Sequence, residues 1–228
     1  MPYLKTLGLI FVAIPKTGTT SVTRALSNIA VHGKEMQLVK EPITAGFRKK
    51  HGFNMLRDRK PGRAKHLSAE QIRLILGQDE FLRCFKFSIV RNPWARMVSR
   101  YFYNYIMNEP SEIDKQRRGT TRTFHDLEFD EWIDRRWNKW KQGKMNNSQL
   151  KKLTDESGNL LVDHVGRLEN AQESLDLVMK KTFTSKLLMP HVNGTKKNHY
   201  TKYYNEFTKR KVYEMCQQDI EYFKYKFT

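Results

Sequence analysis

The chain has 228 residues, 39% of them hydrophobic, which is enough to build a core and argues against a disordered chain. Lys and Arg number 42 against 24 Asp and Glu, a formal net charge of +18, so we expect an anionic partner such as nucleic acid, an anionic glycan, an acidic lipid or a phosphorylated cofactor. Two cysteines exclude a disulfide scaffold, and the lack of an apolar run of about 18 residues predicts no membrane span.

The first elements predict the opening of an α/β unit. Residues 7–14 (LGLIFVAI) are continuously apolar, which is typical of a strand buried on both faces in a parallel sheet. A short loop follows over residues 15–20, and apolar residues then recur at helical spacing. Those residues are Val22, Ala25, Leu26 and Ile29. A strand, a tight loop and a helix in this order begin a βαβ unit.

The next stretch is basic and leads into a capped helix. Residues 47–66 hold eight Lys or Arg with Asp58 as the one acid, and we interpret them as an exposed basic loop. Ser68 and Gln71 have the spacing of a capping box, which predicts a short helix closed by Gly77.

A second core strand is predicted over residues 84–90. Arg91 ends this strand, Asn92 suits the N-cap of a helix, and Pro93 suits its first position. An apolar stripe then continues along the predicted helix. It consists of Trp94, Met97, Val98, Tyr101, Phe102 and Tyr105.

The remaining elements complete the predicted fold. Residues 107–125 are polar and predict a loop, and residues 128–153 predict a helix. A third strand is predicted over residues 160–165, followed by helices over residues 170–181 and 208–223. With no repeat and no low-complexity linker, we expect one domain over residues 1–228, of class α/β with a central parallel sheet flanked by helices.

The loop after the first strand, PKTGTTS at residues 15–21, predicts an anion site. The first N–H groups and the dipole of the following helix attract negative charge, Gly18 permits close approach, and Lys16 adds a cation. Thr17, Thr19, Thr20 and Ser21 offer hydroxyl groups. The alternative is a helix cap with spare hydroxyls. GxxxxGK[ST] is absent, which disfavours a Mg²⁺-dependent nucleotide hydrolase.

Two motifs resemble the sulfotransferases that use 3′-phosphoadenosine 5′-phosphosulfate (PAPS). IPKTGTTSV resembles the family's 5′-phosphosulfate loop, and VRNPWARMVSRYF, residues 90–102, resembles its 3′-phosphate motif. The resemblance extends over most of the chain and points to the carbohydrate-type (Golgi-like, family 2) branch. It implies a P-loop NTPase-like sulfotransferase fold and transfer of a sulfuryl group to a hydroxyl, with a saccharide as the expected acceptor. With no anchor or signal peptide visible, we expect a cytoplasmic enzyme of a microbial or viral source.

The resemblance also assigns the cofactor-binding residues. Residues 16–21 would hold the 5′ end of PAPS, and Arg91 and Ser99 would hold the 3′-phosphate, because a guanidinium forks onto oxyanions. In the basic stretch NGTKK at residues 193–197, Thr195 and Lys197 would fold over the cofactor.

The expected chemistry is an in-line transfer without a metal. Lys16 would stabilise the leaving phosphate oxygen, and His66 would take the proton of the acceptor hydroxyl. The competing bases are Glu35, Glu41 and His51. In the segment GRLEN, we interpret Glu169 as structural and place Arg167 near the site.

Three other interpretations stay open on the sequence alone. A nucleic-acid-binding protein suits the charge and the aromatic content but lacks a known signature, so no nucleic acid is expected. A P-loop nucleotide kinase would need Mg²⁺ and a Walker lysine, and a pseudoenzyme would bind PAPS without transferring sulfate. The basic segment 47–66 is either a site for an anionic acceptor or a solvated loop.

Overall fold

A computed structural model of the chain describes residues 3–31, 66–107, 127–182, 187–190 and 198–228. Within these residues, one sheet of four strands is present: β1 (Tyr3–Leu4), β2 (Leu9–Val12), β3 (Phe85–Val90) and β4 (His164–Arg167). The strands lie in the order β1-β2-β3-β4, with β1 antiparallel to β2 and the other pairs parallel. The predicted α/β class with a parallel core is therefore confirmed.

The first predicted strand begins only after Gly8. This residue has φ +54°, and its N–H donates to the carbonyl of Lys5 at 3.1 Å. That turn places Tyr3 and Leu4 beside β2 as an antiparallel neighbour, so residues 7–14 contribute a shorter strand than expected. Every residue of β2 is buried, as its continuous apolar character predicted.

The third predicted strand lies further along the chain than residues 160–165. Leu160 bridges to Thr154, and the pairing with β3 begins at His164 opposite Phe87. Asp163 stabilises the start of β4 through two hydrogen bonds. Its N–H donates to the carbonyl of Lys86 at 2.8 Å, and its carboxylate accepts the N–H of Lys86 at 2.7 Å. The apolar pattern missed this boundary because a polar residue makes the decisive contacts.

The described segments contain seven α-helices, and two of them begin where capping signals predicted. They are α1 (Thr19–Val31), α2 (Ala69–Leu76), α3 (Gln78–Arg83), α4 (Pro93–Met107), α5 (Phe129–Lys141), α6 (Ala171–Lys181) and α7 (Glu206–Tyr222). Both capping-box bonds of Ser68 and Gln71 form, and the side-chain oxygen of Asn92 accepts the N–H of Trp94 at 3.0 Å.

Two helix predictions need correction. The helix predicted over residues 128–153 ends at Lys141, and Gly143 follows with φ +68°. A separate 3₁₀ turn, Leu150–Lys152, occupies the end of the predicted range. The short helix α3 was not predicted. Gly77 was interpreted as the end of a helix, whereas in the structure it separates two consecutive helices.

The chain divides into two compact units, each with its own apolar core. The first, Met1–Val90 with Gln149–Gly194, holds the sheet and packs it against α1 and α6. The second, Arg91–Ser148 with Thr195–Thr228, packs α4, α5 and α7 around the buried Trp132. The single domain expected over residues 1–228 stays a prediction.

Two features are absent from the described residues. None of their helices is both long and apolar enough to cross a membrane. No group of three or more His, Cys, Asp or Glu in the same segments is placed to hold a metal ion.

Candidate functional site

The loop between β2 and α1 has an unusual backbone. Lys16 has φ +71° and Gly18 has φ +74°, so both residues adopt the left-handed conformation. For glycine this conformation is unstrained, whereas for lysine it costs about 1 kcal/mol or more. The carbonyl of Gly18 accepts the N–H of Val22 at 3.1 Å and so begins α1. The loop therefore leads into the N-terminus of α1, and its backbone is strained at Lys16.

Two threonine hydroxyls stabilise the loop from inside. Thr17 and Thr19 are both buried, and each donates its hydroxyl proton to the carbonyl of Ile14, at 2.9 and 2.7 Å. A hydroxyl has a single proton, so in this structure neither side chain donates to a ligand. Two of the four expected hydroxyl donors, Thr17 and Thr19, are thus engaged in the shape of the loop.

Gly18 is also closely packed against neighbouring side chains. A Cβ built on it would lie 2.5 Å from Cδ1 of Leu168 and 3.3 Å from Cε of Met189. Leu168 follows β4, so the close approach brings the loop against the end of a neighbouring strand. The glycine was predicted to permit close approach, and the structure shows the side chain of Leu168 close to it.

The start of α1 is electrostatically suited to an anion. The helix has 13 residues and no acidic residue in its first turn. Its first N–H groups and its dipole therefore present positive potential that no acidic residue of its own first turn offsets. Thr20 is half-buried and Ser21 is buried at this end of the helix.

The structure brings His66 to this loop. Nδ1 of its half-buried ring lies 2.9 Å from the carbonyl oxygen of Ala13. Since a carbonyl only accepts, Nδ1 carries the proton, and in the neutral ring Nε2 is left as the acceptor. Ala13 immediately precedes Ile14, so His66 and the two threonines are anchored to consecutive carbonyls.

A contact that the sequence did not indicate holds the backbone of His66. Nζ of Lys152 donates to the carbonyl of His66 at 3.2 Å. The two residues are 86 positions apart, and no local pattern links the 3₁₀ turn Leu150–Lys152 to the start of α2. The contact between Lys152 and His66 is therefore apparent only in the folded structure.

Arg91 and Ser99 belong to the second unit. Arg91 follows β3 directly in the chain, Ser99 lies on α4, and both are half-buried. The neighbouring Asn92 is tied down, because its side-chain amide donates to the carbonyl of Lys226 at 2.9 Å and to the hydroxyl of Tyr200 at 3.2 Å. The start of α4 is therefore firmly held beside Arg91.

Several predicted site residues lie outside the residues that the structure describes. They are Glu35, Glu41, His51, Thr195 and Lys197. Arg167 and Glu169 are described and exposed, on either side of Leu168. The contact between Leu168 and Gly18 therefore places the GRLEN segment next to the loop.

The fold and the loop together define an α/β protein with a loop at the carboxyl end of a buried strand that leads into the N-terminus of a helix. Comparison with known proteins makes the class specific: the sulfotransferase family matches residues 3–226. The chain belongs to the sulfotransferase family and is a PAPS-dependent transferase of sulfuryl groups. Family membership decides against the nucleic-acid-binding and kinase interpretations.

Two further similarities accompany the family match. An uncharacterised protein of the archaeon Archaeoglobus fulgidus is 30% identical over 138 residues, which cover 60% of this chain and 98% of that protein. The crystal structure of mouse sulfotransferase SULT7A1 complexed with PAP aligns over 96% of this chain and 91% of that chain, at 13% identity and a TM-score of 0.40.

Proposed function

We propose that this enzyme transfers the sulfuryl group of PAPS to a hydroxyl of a saccharide, with His66 as the general base and Lys16 at the leaving oxygen. The observation that carries this mechanism is the hydrogen bond from Nδ1 of His66 to the carbonyl of Ala13. It sets the tautomer in which Nε2 can accept the proton of an acceptor hydroxyl. A ring held in this way needs no reorientation before it acts.

The residues of the loop fit a cofactor with an anionic 5′ end. When bound, PAPS supplies an electrophilic sulfuryl group and a phosphate leaving group. The N-terminus of α1 has no acidic residue in its first turn, and Lys16 adds an ammonium group that can stabilise charge on the leaving oxygen. Residues 16–21 would hold this end through backbone N–H groups and Lys16, with the hydroxyls of Thr17 and Thr19 shaping the loop.

The assignment for the other end of the cofactor rests on Arg91 and Ser99. A guanidinium and a nearby hydroxyl suit a phosphate monoester, and Asn92 holds the backbone next to Arg91. Thr195 and Lys197 would close over the cofactor.

An anionic saccharide suits the charge around the proposed base. Lys151 and Lys152 lie in the 3₁₀ turn that contacts His66, and the chain has 42 Lys and Arg in total. The basic segment 47–66 ends at His66 in the sequence. Positive potential of this kind concentrates acidic substrates, which supports a uronate-containing or already sulfated acceptor.

The test is a transfer assay with radiolabelled PAPS and a panel of neutral hexoses, uronate-containing oligosaccharides, phenols and sterols. We expect the uronate-containing oligosaccharides to be sulfated, without added metal. His66→Ala should lower kcat by about 10²–10⁴-fold, the usual contribution of a general base, and should leave the affinity for 3′,5′-adenosine bisphosphate (PAP) unchanged. The control is His199→Ala, which removes an exposed histidine of the second unit.

Two outcomes would contradict the proposal separately. Full activity of His66→Ala would remove His66 as the base while leaving the acceptor class intact. Sulfation of phenols or sterols in place of saccharides would overturn the acceptor class.

A further inference from the structure

We infer that Lys152 is a positioning residue for His66: its ammonium group donates to the backbone carbonyl of His66, the residue whose ring is the proposed base. This inference rests on the proposed function, in which His66 is the base. Lys152, 86 positions from His66 in the sequence, is thereby added to the residues that act in the proposed mechanism.

The ring of His66 needs support beyond its own hydrogen bond. The bond from Nδ1 to Ala13 fixes one atom of the ring, and it does not act on the backbone of His66. On the following side, Leu67 is buried and Ser68 caps α2. The contact from Lys152 to the carbonyl of His66, at 3.2 Å, adds a charged hydrogen bond at the residue itself.

Lys152 can perform this role because its own backbone is anchored. Its N–H donates to the carbonyl of Gln149 at 3.0 Å, which closes the 3₁₀ turn. The flanking residues Gln149 and Leu153 are fully buried. The half-buried lysine therefore extends from a fixed support, and its ammonium group reaches His66 from a defined direction.

A positioning role and a purely structural role predict different measurements. Loss of a structural contact lowers the stability of the fold and leaves the chemistry of the remaining folded enzyme unchanged. Loss of a positioning contact leaves the cofactor bound and misplaces the base, and small misplacements of a catalytic group are costly in rate. The split between kcat and KM, together with the state of the His66 ring, distinguishes these roles.

The experiment compares Lys152→Met with Lys152→Arg, which keeps the charge and a donor. Lys180→Met is the matched control, since Lys180 is an exposed lysine of the same unit. We expect Lys152→Met to lower kcat about tenfold with KM for PAPS unchanged, Lys152→Arg to recover most of the rate, and Lys180→Met to behave as wild type. The acceptor is the best substrate of the saccharide panel.

Nuclear magnetic resonance gives a second readout that needs no acceptor. In a ¹⁵N-histidine-labelled sample above pH 8, the His66 resonances are assigned by their loss in His66→Ala. We expect the wild type to show the proton on Nδ1, and Lys152→Met to show a mixture of the two tautomers. An unchanged His66 spectrum together with an unchanged kcat would overturn the positioning role.

A double variant separates failure of this inference from failure of the proposed function. If Lys152 acts through His66, adding Lys152→Met to His66→Ala causes no further loss of kcat. A reduced rate in His66→Ala with a normal rate in Lys152→Met would overturn the positioning role and keep the base. A normal rate in His66→Ala would overturn both, and additive losses would show that Lys152 acts independently of His66.

Discussion

Lys16 combines a strained backbone with a side chain that the proposed mechanism needs. Its φ of +71° lies in the region that glycine adopts without strain. A glycine here would therefore relax the loop, and the chain instead carries a lysine just before the start of α1. Strain retained at such a position is typical of functional sites, which supports a role for the ammonium group.

We predict that Lys16→Ala and Lys16→Gly both lose transfer activity, by about 10²–10³-fold, because each removes the cation at the leaving oxygen. The two variants should differ in stability. Alanine keeps the backbone strain and glycine relieves it, so Lys16→Gly should be more stable than Lys16→Ala by about 1 kcal/mol. Urea unfolding measures the stability and the PAPS assay measures the rate. Retained activity in either variant would contradict the role of the ammonium group.

At the residue scale, the motifs indicated which residues form the loop, but not all of their contacts. The sequence PKTGTTS and the position of His66 could be recognised locally. The bonds of Thr17 and Thr19 to Ile14, and the approach of Leu168 to Gly18, depend on how the loop folds back against the sheet. Local spacing carries no information about such contacts.

At the scale of elements, predictions succeeded where a helix has a local start signal. The capping box at Ser68 and the Asn-Pro start of α4 both form as predicted. The segment 142–153 was wrongly joined to α5, although Gly143, with φ +68°, is a local signal for the end of a helix. The contacts of Asn147 with arginines of two helices could not be predicted from local spacing.

Asn147 connects α4 and α5 through their arginines. Its carbonyl accepts from Arg96 at 2.7 Å, and its side-chain oxygen accepts from Arg100 at 3.1 Å and from Arg136 at 3.0 Å. Burial, together with the nearby charge of Arg96, lowers the pKa of Arg136 to about 10; burial also lowers the pKa of Arg96. The stability of such buried guanidinium charges depends strongly on their hydrogen-bond acceptors.

We predict that Asn147→Ala destabilises the protein by about 2–3 kcal/mol, because Arg100 and Arg136 each lose a charge-assisted hydrogen bond. Asn146→Ala is the control. Asn146 is exposed and accepts one backbone N–H, from Ser148 at 2.8 Å, so its loss should cost less than about 1 kcal/mol. Urea unfolding of both variants checks the difference. Equal destabilisation by the two substitutions would show that the arginines do not depend on Asn147.

At the scale of the whole molecule, the net charge of +18 acts on any anionic ligand. Several carboxylates of the described residues are paired locally, as in the contacts of Asp163 with Lys86 and of Asp134 with Lys211. The total nevertheless leaves a large positive excess. Such an excess of positive charge raises the rate of encounter with an anion, and more so for an anion of higher charge. Salt screens the effect.

We predict that PAP binds more tightly than 5′-AMP, by about tenfold or more at about 50 mM NaCl, and that this advantage shrinks at about 500 mM NaCl. The general field favours the more highly charged nucleotide, while Arg91 would recognise the 3′-phosphate directly. Arg91→Ala should therefore remove most of the advantage. Arg210→Ala removes the same charge from an exposed position of the same unit and should keep it.

Calorimetric titration of both nucleotides without added metal, at the two salt concentrations, separates the field from the specific contact. An equal loss in Arg91→Ala and Arg210→Ala would assign the preference to net charge alone and overturn the role of Arg91. Equal binding of PAP and 5′-AMP by the wild type would contradict a 3′-phosphate site altogether. A loss confined to Arg91→Ala would leave net charge to govern how fast the nucleotide arrives, and Arg91 to govern which nucleotide remains bound.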